Sequence, residues 1–226
     1  MTEQPRTIAI LGGTGAEGSG LALRWAHAGH NVILGSRNPE KAGRVCAELN
    51  ALVARDAVTF LDNARAAAEA EVVVLTVPFA AQRATVDEVR HALAGKVLVD
   101  ATVPLVPPKV SRVQLPAGGS AVAAIQALLG DEVRVVSAFQ NVSAHKLKRL
   151  DYDIDCDVLV TCDDKDAREV GIALAKDAGL RGIDAGPLAN SVVAEALTSA
   201  LIWINRKYKV PDAGIRITGL DAVVGR

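Results

Sequence analysis

Aromatic residues are scarce: there are seven among 226, against 39 alanines and 19 glycines. So few rings supply no row of stacking platforms for nucleic acid, and the small residues favour tight packing of helices and backbone. An excess of charge is missing too. The 25 Lys and Arg stand against 26 Asp and Glu, a formal net charge of -1, which rules out an overall basic footprint and leaves only a local basic pocket open. The three cysteines are odd in number and lack CxxC spacing, so neither a disulfide scaffold nor a four-cysteine metal site is available. No apolar run approaches the roughly 18 residues that span a bilayer, and Met1 to Arg6 carries no secretory pattern. Half of the residues are hydrophobic, which argues against disorder. A soluble, cytoplasmic protein is expected, with no nucleic-acid or membrane partner and no metal.

What is present begins with Ile8 to Leu11, an apolar run that stops at Gly12. Apolar side chains on both faces of a strand imply a sheet covered on both sides, as in a parallel α/β fold. Gly13-Thr14-Gly15-Ala16-Glu17-Gly18 then fills a G-x-G-x-x-G frame, followed by a helical stretch from Leu21 to Ala28 and a second strand from Asn31 to Leu34. In this frame Gly13 makes the tight turn, Gly15 lets the backbone approach a pyrophosphate, and Gly18 permits close helix–sheet packing. The helix N-terminus offers unpaired N–H groups to the phosphates. A merely structural glycine turn is the competing reading. Without a final Lys-Ser/Thr the loop is not a nucleoside-triphosphate P-loop.

The end of the second strand selects the dinucleotide. An NAD site places Asp or Glu there to bind the ribose 2′-hydroxyl. This chain has Gly35-Ser36-Arg37-Asn38-Pro39-Glu40-Lys41. Ser36, Arg37 and Lys41 suit a 2′-phosphate, Arg37 as a fork of donors, and Pro39 in the first turn of the next helix puts Lys41 beside it. NADP is expected, the alternative being that both cations are ordinary surface charges.

Glu71 to Pro78 is the clearest buried strand. Its end, Thr76, Val77, Pro78 and Phe79, falls where open α/β sheets bind ligands and is expected to border the nicotinamide. Further strands are expected at Val58 to Leu61, Lys96 to Ala101 and Val133 to Ala138, with helices between, and residues 1–138 form the nucleotide domain. Residues 139–226 form a small α/β domain for substrate binding and dimerisation, with a strand from Asp157 to Thr161, a helix from Asp166 to Ala178 and a short strand from Gly182 to Asp184. Gln140 and Asn141, after the last strand of the first domain, are candidates to offer an amide to the substrate ring or to cap a helix. The apolar helix Asn190 to Tyr208 suggests a homodimer. The tail from Lys209 to Arg226 is expected to fold back over the cleft. Cys46, Cys156 and Cys162 read as packing residues. Asp163, Asp164 and Asp166 read as carboxylates at a helix start rather than magnesium ligands.

Catalytic side chains are conspicuously few. There is no Tyr-x-x-x-Lys arrangement and no recognisable Asp–His relay, and of the four histidines only His145 is a candidate acid or base, with a surface role as its alternative. Transfer between two redox cofactors asks only that two flat rings be held at reacting distance and water excluded. No catalytic side chain is therefore assigned. Open alternatives are reduction of a flavin, a pterin-like ring or a small imine or carbonyl, and a non-catalytic NADPH sensor.

Ile8-Ala9-Ile10-Leu11-Gly12-Gly13-Thr14-Gly15, Gly35-Ser36-Arg37, Leu75-Thr76-Val77-Pro78, Val136-Ser137-Ala138 and Asp184-Ala185-Gly186-Pro187-Leu188 together resemble the NADPH-dependent reductases of the deazaflavin coenzyme F420. The resemblance runs from Thr7 to about Asn205, and the nucleotide-domain pattern is shared with the ferric reductase domains of membrane metalloreductases. It implies a Rossmann domain with a small C-terminal domain, a homodimer, and reversible hydride transfer between NADP(H) and the deazaflavin. Thr14, Ser36, Arg37 and Lys41 match the family's 2′-phosphate positions, and Thr76 to Phe79 the wall behind the nicotinamide. This chain has Phe79 where a tryptophan often stands and Gln140 where a histidine is common.

Overall fold

Six strands, β1 (Thr7–Leu11), β2 (Asn31–Gly35), β3 (Val58–Leu61), β4 (Val72–Leu75), β5 (Val97–Asp100) and β6 (Arg134–Ser137), form one parallel sheet in a computed structural model that describes residues 5–220 and 223. Their order is β3-β2-β1-β4-β5-β6. Strand order reverses at β1 and β4, and ligands of open α/β sheets bind beyond the carboxyl ends at such a point. The strands are short, and all but the edge strand β3, where Thr59 and Phe60 are exposed, are apolar and largely buried because helices cover both faces. Ile8, Ile10, Val72 and Val74 face one core with Leu21, Trp25 and Leu49, whereas Ala9, Leu11, Val73 and Leu75 face the other with Ala66, Val86 and Val122. This two-residue alternation is the pleat itself.

The helices of the first half are α1 (Ala16–Ala28), α2 (Pro39–Val53), α3 (Asn63–Glu69), α4 (Phe79–Val89) and α5 (Ala121–Leu129). Helix α1 starts before the expected Leu21 and takes in Gly18 and Gly20, poor helix formers kept for packing: a Cβ on Gly20 would lie 2.5 Å from the Leu147 Cβ. Helix α2 starts at Pro39 because the Asn38 side chain accepts from the Lys41 N–H at 2.9 Å. Residues 102–108 are non-helical, as the prolines require.

The second half contains α6 (Ala144–Leu147), β7 (Asp157–Val160), α7 (Lys165–Asp177), β8 (Arg181–Asp184) and α8 (Ser191–Tyr208). Strands β7 and β8 make a small parallel sheet, joined to the end of β6 by an antiparallel bridge between Ser137 and Thr161. Residues of α7, β7 and α6 share a core with α1 and the large sheet. Polar ties cross the same boundary. Trp25 Nε1 donates to the Leu174 carbonyl at 2.8 Å, and the buried Arg24 guanidinium donates to the carbonyls of Lys146, Leu147, Arg149, Tyr152 and Ala178. His30 Nδ1 accepts from the Arg6 N–H, so its Nε2 carries the hydrogen that points to Asp177.

Asp164 caps α7, and Asp163 accepts from the Leu188 N–H, so both carboxylates serve chain connections. All three cysteines are free: Cys46 donates to the Val58 carbonyl, while Cys156 and Cys162 are buried. By length and composition Leu188–Tyr208 could cross a membrane; in this fold it packs on α5, with Glu195 buried and Trp203 and Tyr208 exposed. The described tail runs along β7, where the Asp157 N–H donates to the Ile215 carbonyl. Its remaining residues, 221, 222 and 224–226, lie outside the described part.

Candidate functional site

The loop after β1 is shaped by contacts that leave no room for side chains. The Gly13 N–H donates to the Ile10 carbonyl at 3.1 Å and closes a turn. The left-handed position of that turn is Gly12, with φ +86°, so the conformational demand expected of Gly13 falls one residue earlier. A Cβ on Gly18 would lie 2.6 Å from Thr76 Oγ1 and 2.8 Å from the Gly12 carbonyl oxygen, which is how α1 comes to rest on the end of β4. Gly15 differs: a Cβ there would meet only the Gly12 carbonyl oxygen, at 3.2 Å, leaving its outer side open to a ligand. Gly15 is the N-cap of α1 and no side chain caps that end. The first-turn N–H groups, those of Ala16, Glu17 and Gly18, therefore have no intrahelical acceptor, a donor set that fits a pyrophosphate. Thr14 sits half-buried between the two turns of the loop.

Beyond β2 the chain presents hydroxyl and cation without carboxylate. The Ser36 N–H is fixed to the Leu61 carbonyl, and its hydroxyl exchanges hydrogen bonds with the Asn38 backbone, accepting from the N–H at 3.1 Å. Arg37 and Lys41 are exposed, and neither side chain bonds to another described residue. Asn38 occupies the α2 cap and so orients the turn that carries both cations.

The third wall follows β4. Thr76 is tied to β1 through its N–H and its hydroxyl, both donated to the Leu11 carbonyl at 2.9 and 3.2 Å. Val77 is half-buried, Pro78 is exposed at the N-cap of α4, and Phe79 opens that helix. One turn further on, Gln82 is buried and donates to Asp100 Oδ2 at 2.7 Å. Asp100 ends β5 with no exposure at all, and its other oxygen accepts from the Thr102 N–H at 2.8 Å.

The segment after β6 closes the corner. Phe139 has φ +76°, a costly conformation for a bulky residue, and is held there by burial and by edge-on contact with Trp25 at 5.7 Å. Gln140 follows it into the corner, buried, with Nε2 donating to the Asp100 carbonyl and to Ser137 Oγ and with Oε1 unpartnered. Asn141 is turned to the small sheet, its Nδ2 donating to the Asp157 carbonyl at 2.7 Å. His145 is exposed on α6. Thus the structure brings Thr76, Phe79 and Gln140 around one sheet edge and engages Asn141 elsewhere.

Three carboxyl groups belong to this corner: Glu17, expected at the cofactor as part of the glycine frame, and Asp100 and Glu195, to which sequence reasoning gave no chemical part. Burial pushes the Glu17 carboxyl up to about 8, with a smaller push from the charge of Asp100. Burial also raises Asp100, against the lowering effect of its hydrogen bonds to Thr102 and Gln82. Glu195 is raised by burial too, with a lesser push from Asp100, although it accepts from the Ser120 hydroxyl and from the N–H groups of Ala121 and Val122 at the start of α5. The one signal for Asp100 in the sequence is an acid ending the apolar run Val97-Leu98-Val99.

Residues 7–104 match the family described as NADP oxidoreductase, coenzyme F420-dependent. The chain is 46% identical over 220 residues to the F420-dependent NADP reductase of Methanothermobacter marburgensis, covering 94% of this chain and 98% of that protein. It is 43% identical over 220 residues to the enzyme of the same name from Methanothermobacter thermautotrophicus, covering 94% and 95%. A crystal structure from Arthrobacter sp. FB24, assigned as an F420-dependent NADP-reductase, superposes with a TM-score of 0.77 at 26% identity, covering 94% of this chain and 99% of that one. The chain belongs to the family of F420-dependent NADP oxidoreductases.

Proposed function

We propose that this protein transfers a hydride reversibly between NADP(H) and the deazaflavin coenzyme F420. The observation that carries the reading is the side-chain-free cradle at Gly12, Gly15 and Gly18, joined to a 2′-phosphate corner of Ser36, Arg37 and Lys41 with no acid at the end of β2. The near full-length identity to reductases of that name supplies the second ring system. The first-turn N–H groups of α1 hold the pyrophosphate, Arg37 and Lys41 hold the 2′-phosphate, and Thr76 to Phe79 back the nicotinamide. Bound there, NADPH supplies the hydride, and the protein aligns the rings and keeps water out. Gln140, fixed by Asp100 and Ser137, sets the floor on the acceptor side.

The nucleotide-binding unit is residues 1–138, the unit for the second ring and for self-association residues 139–226, and the protein works in the cytoplasm. A homodimer through α8 is supported by exposed Val193, Trp203, Ile204 and Tyr208 on that helix. The function is tested by following the visible absorbance of oxidised coenzyme F420 with NADPH, and with NADH and free flavin as controls. NADPH-specific bleaching is expected; tight NADPH binding without bleaching would reject the deazaflavin as acceptor.

A further inference from the structure

We propose that the tail works as a strap: residues 212–217 hold the segment 139–143 in the arrangement that presents Gln140 to the acceptor ring, with Asp212 as the positioning residue. The inference rests on the reading of the site as one for NADP(H) and a deazaflavin.

The segment leaves β6 through the costly left-handed conformation of Phe139. It closes one turn of its own, from the Val142 N–H to the Phe139 carbonyl, and its other ties come from distant parts of the chain. Gln140 Nε2 is held by the Asp100 carbonyl and by Ser137, and the Thr198 hydroxyl of α8 donates to the Gln140 carbonyl at 2.8 Å. Asn141 Nδ2 donates to the Asp157 carbonyl at 2.7 Å. The Ser143 hydroxyl donates to Asp212 Oδ1 at 2.5 Å.

The strap is fixed at both ends. At the near end the Ala213 N–H donates to Asn205 Oδ1 of α8 at 2.9 Å, and Lys146 Nζ donates to the Asp212 carbonyl at 3.1 Å. At the far end stand Asp157 and Arg181, both buried and joined by two hydrogen bonds of 2.7 and 2.8 Å. This pair grips one tail residue at both its backbone groups. The Ile217 N–H donates to Asp157 Oδ2 at 2.6 Å, and Arg181 Nη2 donates to the Ile217 carbonyl at 3.1 Å. In a sheet a neighbouring strand meets both groups; here two side chains take that part. The Asp157 N–H adds a bond to the Ile215 carbonyl at 2.8 Å. Asp157 is therefore shared, its carbonyl holding Asn141 and its N–H and carboxylate holding the tail. Between the two ends the strap lies directly on the chain below, since a Cβ on Gly214 would come within 2.7 Å of Cys156 Sγ. The strap thus bears on Asn141 and Ser143, on the acceptor side of the corner, and loosening it should be felt there and not at the phosphates.

The test compares D212A, D212N and G214V with wild type, all as full-length protein. Asparagine keeps the oxygen that accepts from Ser143, and valine at 214 lifts the strap off Cys156 without removing a donor or an acceptor. Hydrogen–deuterium exchange without ligands reads the strap itself. In D212A and G214V the amides of residues 139–146 are expected to exchange about tenfold faster, the effect of one lost charge-assisted hydrogen bond on local opening. D212N should match wild type, and the glycine loop 12–18 should be unchanged in every variant. Wild-type exchange in D212A, or exchange in D212N as fast as in D212A, overturns the strap. Steady-state kinetics reads what the strap does. With NADPH saturating, D212A and G214V should raise the KM for the deazaflavin about tenfold, by the same loss, while the Kd for NADPH stays unchanged. An unchanged KM, or equal weakening of NADPH and deazaflavin, overturns the positioning role. Wild-type protein that binds NADPH and fails to bleach the deazaflavin would overturn the reading of the second substrate, and the exchange data would still decide whether the tail straps the segment.

Discussion

Gln82 donates its side-chain amide to the Asp100 carboxyl at 2.7 Å, linking α4 to the end of β5 beneath the corner proposed to hold the two rings. Both residues are buried, so this contact decides whether a charge-bearing group can stay inside the sheet edge. Replacing Gln82 with Leu leaves Asp100 with the Thr102 N–H as its remaining donor besides solvent-excluded neighbours. A loss of about 1–3 kcal/mol in stability is expected, the cost of an under-bonded buried polar group. Urea unfolding measures it, and an unchanged midpoint would show that the hydrogen bond contributes nothing.

The raised carboxyls also set how stability changes with pH. A group harder to ionise in the fold than in the unfolded chain makes unfolding release a proton between the two pKa values. Stability then falls as pH rises through that window, which for Glu17 runs from an ordinary 4.5 to about 8. Asp157, held below its usual range by Arg181 and Arg216 despite burial, acts oppositely and loses its contribution in acid. The Tm of E17Q relative to wild type should therefore climb from mildly acidic pH and level off above about 8. A difference that stays constant across this range would mean that Glu17 ionises normally.

Selectivity for the 2′-phosphate should reside in Arg37. Charge-assisted hydrogen bonds are worth about 1.5–3 kcal/mol, so Arg37→Ala should weaken NADPH by roughly 10- to 100-fold and leave NADH nearly unchanged. Fluorescence titration with both dinucleotides reads this directly. Equal losses for the two would place Arg37 away from the phosphate.

For self-association, Trp203 is the informative position, since it is 61% exposed on α8, where Val193, Ile204 and Tyr208 are exposed too. Trp203→Glu should convert a dimeric sedimentation coefficient at micromolar concentration to a monomeric one. Wild-type protein that is already monomeric would remove the α8 interface.

Much of this architecture is legible in local sequence. Val72 to Leu75 can only be a buried strand, and Gly13, Gly15 and Gly18 at their spacing between strand and helix point to a dinucleotide. The spacing does not reveal that Gly12 takes the left-handed position, because that depends on how Leu11 leaves the sheet. Long-range partners were hidden for a similar reason. Gln82 and Asp100 are 18 residues apart, and Ser120 and Glu195 are 75 apart, so neither pair leaves a periodic trace. Gln140 and Asn141 look alike as amides in a loop. Folding separates them, one toward Asp100 and the other toward β7, because Phe139 forces the backbone through a sharp turn.

The central claim is direct passage of hydride from one ring to the other. It is tested most directly with NADPH carrying deuterium at the transferred C4 position and oxidised coenzyme F420, followed by mass spectrometry of the reduced deazaflavin. One deuterium retained on the acceptor's carbon in ordinary water is the predicted result. Reduced deazaflavin that carries hydrogen from solvent at that carbon would contradict it.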